Sequence, residues 1–169
     1  MKKHLHLGAF IALISFMLLS SCEKDGLNNI REDKELIRDL NNEATTSLSI
    51  DSRSYFLDAF LWRDFMPVTP PNGSPLIAIN WLINGDSITI PDNIVMIKQY
   101  VIYNDSVWIA DYEDNKSPSS PPYRLEKMST NGPKWGPGVR VDVISKILDT
   151  KTNHDYYLKF SQVLIGATY

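Results

Sequence analysis

Cys22 is the residue with the most specific chemistry in the chain. It is the only cysteine, and it closes Leu19-Ser20-Ser21-Cys22, a leucine and two small residues before a thiol. Lys2 and Lys3 make a basic start, and Leu7 to Leu19 is an almost purely apolar run. That order is the pattern of a lipoprotein signal peptide, and the run is too short for a comfortable membrane span. The expectation is a signal peptide over 1–21, removed on maturation, and a lipidated N-terminus at Cys22, its sulfur held as a thioether, with several acyl chains such as palmitate. Each buried CH₂ contributes about 0.8 kcal/mol, so several chains anchor such a protein durably.

That reading empties the inventory of other reactive groups. An acylated Cys22 leaves no thiol for disulfides, zinc or thiolate catalysis. His4 and His6 fall in the leader, which leaves His154, expected as an exposed turn histidine rather than a base. Asp111-Tyr112-Glu113-Asp114-Asn115 gathers oxygen ligands suited to Ca²⁺, but it lacks the alternating acids and glycine by which one loop wraps that ion. It reads as a solvated strand end. No glycine-rich loop leads into a helix N-terminus, so a phosphate cradle is not expected. No catalytic residue, cofactor site or metal site is assigned, and the chain is expected not to be an enzyme. A hydrolase working through carboxylates alone is the least supported function.

The remaining candidates are for binding. Trp135 sits among Pro133, Gly136, Pro137 and Gly138, in a stiff loop where binding residues concentrate. It serves either as a contact residue or as a plug for the end of the domain. Trp62 and Arg63, with Asp64, at the exit of an aromatic-rich strand, are further candidates for ligand or partner contact. Flat aromatic faces suit both sugar rings and protein partners. There are 17 Lys and Arg against 20 Asp and Glu. The leader takes two of the lysines and no acid, so nucleic acid is an unsuitable partner.

These residues need elements to hold them. Residues 22–50 are polar with few aromatics, and Leu36, Ile37, Leu40 and Ala44 fall at helical spacing. This segment is expected to be a flexible tether with a transient helix. The domain proper is expected over 51–169. Ser54 to Arg63 alternates Tyr55, Leu57, Ala59 and Leu61 with Phe56, Phe60 and Trp62. Both faces are largely apolar, as in a strand covered on both sides or flanked by an aromatic patch. Pro67, Pro70, Pro71 and Pro75 make a loop. Leu76 to Ile83 and Ser87 to Ile90 are predicted to pair around Asn84-Gly85, and Ile94 to Tyr103 with Ser106 to Tyr112 around Asn104-Asp105. Tyr123 to Met128, Val139 to Leu148 and Tyr156 to Ile165 complete the set. Seven or eight short strands predict an all-β, antiparallel β-sandwich of immunoglobulin-like topology, with a small β-barrel as the alternative.

Leu61-Trp62-Arg63-Asp64-Phe65-Met66-Pro67, then Pro70-Pro71-Asn72-Gly73 and the Asn131 to Gly138 segment, resemble small lipoproteins of Bacteroidota. That group has no assigned activity, so the resemblance carries no functional residues. Cys22-Glu23-Lys24-Asp25 is similar to the acidic surface-export tag of the same lipoproteins. The resemblance implies a cell-envelope protein on the outer membrane, periplasmic or surface-facing. Asp86-Ser87-Ile88 and Asp105-Ser106-Val107 resemble that phylum's O-glycosylation pattern, making Ser87 and Ser106 candidate acceptors. The functional expectation is a lipid-anchored adaptor or binding domain for another envelope protein. The alternative is a glycan-binding module using loop aromatics.

Overall fold

The computed structural model describes residues 29–113 and 120–169. Cys22 and its leader lie outside them, as do Asp114 and Asn115. The fold is all-β with one short helix. Strand β3 (Arg53–Asp64) pairs antiparallel with β4 (Leu76–Asn84), and β4 pairs with β7 (Arg124–Gly132). In the other half, β5 (Ile94–Tyr103) lies between β6 (Ser106–Asp111) and β8 (Arg140–Asp149). The last strand, β9 (His154–Thr168), joins the halves: it is antiparallel to β8 and parallel to the end of β3.

One hydrogen-bonded path therefore runs through both halves, rather than the two separate sheets of an immunoglobulin domain. The sheet curls into a half-barrel. Beyond the end of β6, Glu113 donates its N–H to the Met128 carbonyl of β7, and the Ser129 hydroxyl of β7 reaches the Asp111 carbonyl. β9 can serve both halves because it bulges. Gln162 takes a positive φ of 60°, its N–H donates to Asp142 Oδ1 at 3.0 Å, and Arg140 Nη1 donates to its carbonyl. Such a bulge bends and twists the strand, so its last residues meet β3. Burial pushes the Asp142 carboxyl up, but the bonds from Lys159 and the Gln162 N–H outweigh it, and it is held below its ordinary value.

The interior holds Tyr55, Leu57 and Leu61 of β3 with Leu82 of β4, Val101 of β5, Trp108 of β6, Ile147 of β8 and Ile165 of β9. Alternation places these on the concave face. β5 and β8 are apolar on both faces, because Ile102 and Ile144 are also buried, together with Val107 of β6. Their cover is the segment expected to be a tether. β1 (Asn29–Glu32) pairs with β6, helix α1 (Lys34–Glu43) crosses the convex face, and β2 (Ser47–Ile50) pairs with β3. Asp33 caps α1 by accepting the Leu36 N–H at 2.9 Å, and Leu36, Ile37, Leu40 and Ala44 pack against Ile102, Val107 and Ile144. From Asn29 onward the chain is thus part of the folded body, which moves the expected boundary near residue 51.

The Asn84-Gly85 turn also differs from expectation. It does not return as a strand. The Asn84 side chain accepts the Asp86 N–H, Ser87 takes a φ of 56°, and Pro91 brings no N–H. The chain then crosses to the other half as β5. The turn at Asn104-Asp105 is the predicted hairpin between β5 and β6.

Candidate functional site

β3 and β4 have an outer face that nothing among the described residues covers as α1 covers β5 and β8. Directly paired residues of antiparallel strands share a face. Phe56 thus stands beside Ile83, Phe60 beside Ile79 and Trp62 beside Ile77. Ile79 continues the row to Met128 of β7. On the other side of β3, Gly166 of β9 is opposite Trp62. It brings no side chain against Trp62, which is half-buried. Leu164, two residues earlier, is on the same outer face. Phe60 and Leu164 are each 50% exposed and Phe56 is 41% exposed. The Phe60 and Trp62 rings stack at 5.4 Å with 24° between planes. Between Ile79 and Ile83 a polar clamp interrupts the face: Trp81, opposite Asp58 of β3, donates its Nε1–H to Glu126 at 2.7 Å, and the Arg124 guanidinium sits 4.1 Å over the indole.

Trp62 thus falls in an open apolar surface, and its neighbour in sequence does not. Arg63 has the parity of Leu61 and points inward, only 2% exposed. Nε donates to the Ser74 carbonyl at 2.9 Å, Nη1 to the carbonyls of Lys134 and Trp135, and Nη2 to that of Asn72. Its charge therefore ties the 65–75 loop to the 133–139 loop and does not reach the surface as a contact group. Trp135 is half-buried, packs on the core and lies 5.4 Å from the Tyr103 ring. It has the position of a plug, so Trp62, Arg63 and Trp135 do not form one binding surface.

The other candidates are dispersed. Ser87 is exposed in its turn. Ser106 is half-buried between two strands, opposite Tyr103 of β5 and Glu32 of β1. Asp111 pairs with Lys98, and Glu113 accepts from Thr130. Among the described residues no group of three His, Cys, Asp or Glu side chains converges as metal ligands would. His154 sits at a strand start, its ring against Tyr156. Inside the sheet, Asn80 donates to Gln99 at 2.6 Å, and the Tyr112 and Ser145 hydroxyls meet at 2.8 Å. Burial pushes the Tyr112 hydroxyl well up, against the opposing bond from Ser145, so it stays neutral.

The outer-face residues that sequence reasoning did not assign are Phe56, Phe60, Ile77, Ile79 and Leu164. Their signal was the second apolar face of the 54–63 strand. No family model, curated protein or solved structure matches the chain.

Proposed function

We propose that this is a lipid-anchored envelope protein, held through Cys22, whose domain binds another envelope protein on the outer face of β3 and β4. The observation that carries this reading is the apolar cluster on that face: half-exposed Phe60 and Leu164 beside half-buried Trp62 and Ile79, with Phe56 exposed beyond Asp58. A protein that leaves large apolar side chains contiguous at its surface exposes an interaction site or an aggregation hazard. Aromatic residues in an apolar patch bordered by charged groups such as Asp58, Arg124 and Glu126 have the anatomy of a protein interface. The stacked Phe60–Trp62 pair favours glycan binding as a second reading. The side chains directly beside that pair, Ile77, Ile79 and Leu164, are aliphatic, however, and offer sugar hydroxyls no hydrogen bonds. Catalysis has no comparable support.

The test is a photo-crosslinking side chain at Phe60 in cells that make the full chain. A discrete protein adduct, absent with the same group at Asp92, is the expected result. Adducts to polysaccharide alone would favour the second reading, and no adduct above the Asp92 background would remove this face as a binding site.

A further inference from the structure

The loop between β3 and β4 is built rigidly yet leaves its apolar tip in solvent. Phe65 donates its N–H to the Thr168 carbonyl, Met66 to the Asp64 carboxylate, Thr69 to the Met66 carbonyl and Ser74 to the Asp64 carbonyl. Arg63 grips the loop's far side through Asn72 and Ser74. Pro67, Pro70 and Pro71 stiffen it further. Held in this way, Val68 is 96% exposed and Met66 43% exposed. Tyr169, 83% exposed, stacks at 5.7 Å on Phe65 at the loop's base. The chain carries no charge from Phe65 to Gly85. Exposed Lys134 belongs to the loop that Arg63 ties to this one.

We infer that this tip docks into the lipid surface to which the protein is anchored. The inference rests on the anchoring reading above, because the occupant follows from the length of chain outside the fold. Only six residues separate Cys22 from Asn29. Seven Cα–Cα steps span at most about 25 Å, even fully extended. Asn29 is paired in β1 opposite Ile109, three residues along from Glu32 and the β5–β6 hairpin. Tyr103 of that hairpin meets Trp135 of the loop tied to this one. A tether of this reach, turned back along the roughly 10 Å of β1, brings lipid to the end of the body that carries the tip. A rigid uncharged wedge of Met66, Pro67 and Val68, with an amphipathic tyrosine at its base and a lysine for anionic headgroups, matches the layered chemistry of a membrane interface. Docked this way, β3 and β4 rise from the bilayer. Their outer face is then turned sideways toward neighbours held in the same membrane, and Ser87 is carried at the far end.

The test uses the full lipidated chain reconstituted in vesicles of phosphatidylethanolamine and phosphatidylglycerol. An acylated Cys22 leaves no other thiol, so Val68→Cys and, at the opposite end, Asp92→Cys can each carry one environment-sensitive fluorophore. The label at Val68 is expected to shift to the blue and lose emission to a nitroxide on the lipid acyl chains, while the label at Asp92 responds only to a water-soluble quencher. Equal access of the aqueous quencher to both sites, with Cys22 acylated, overturns the docking inference alone. Failure of wild-type Cys22 to take up acyl label overturns the anchoring reading and the inference with it.

Discussion

Arg63 spends its positive charge on backbone carbonyls of two loops, so its removal strands several buried acceptors at once. Each unsatisfied buried group costs about 1–3 kcal/mol. Arg63→Met is expected to lower the unfolding free energy by about 3 kcal/mol or more in urea titrations, although it adds no clash. Trp135→Ala tests the neighbouring loop. A fully buried Trp costs about 3–5 kcal/mol on truncation, and for this half-buried ring the lower end of that range is expected, again by denaturant unfolding. Asp149 gives a pH signature. Its carboxylate accepts from Asn93 at 2.6 Å, from the Lys151 N–H and from Thr152. The Asn93 bond is the main cause holding its pKa below the ordinary value. A depressed carboxylate adds stability above its unfolded pKa and loses it as pH falls through the folded value. Asp149→Asn should therefore melt below wild type at neutral pH, with the gap closing below about pH 4. The period-2 pattern placed Arg63 with Leu61, but both faces of that strand are largely apolar, and nothing local says which one is inside.

Helix α1 is where the sequence was hardest to read, because its stripe is thin and its stability is tertiary. Only Leu40 on it is fully buried, at 4% exposure, and it seals Ile102, Val107 and Ile144. Leu40→Ala is expected to cost about 2–5 kcal/mol, measured by thermal or urea unfolding of the same chain. An unaltered melt would return 29–47 to the status of a tether. Two signals for the helix were present. Asp33 stands three residues before Leu36, the spacing of an N-cap bond. Val101-Ile102 and Val143-Ile144 put apolar residues on both sides of their strands, which calls for a cover on the convex face. The strands themselves were legible from alternation and turn residues, since both are local. The β3–β9 parallel pairing was not, because it depends on a bulge at Gln162, a residue with no special turn propensity.

At the scale of the molecule, one convex region is capped by α1 and the other, over β3 and β4, has no such cover among the described residues. The apolar character of that face was readable in Phe56, Phe60 and Trp62. Its extent was not, because Ile77, Ile79 and Leu164 join it only through strand register. That apolar cluster is the basis for reading the protein as a binding partner within the envelope. The most direct test is the sedimentation, after mild detergent extraction from membranes, of wild type against a Phe60→Ser/Leu164→Ser double variant. Both positions are half exposed, so folding should be preserved in the variant, as a matching melt would report. Wild type is predicted to sediment in a complex well above the mass of a single chain, and the variant as a single chain. Identical sedimentation of the two, with both folded, would contradict the assignment of this face as the binding surface.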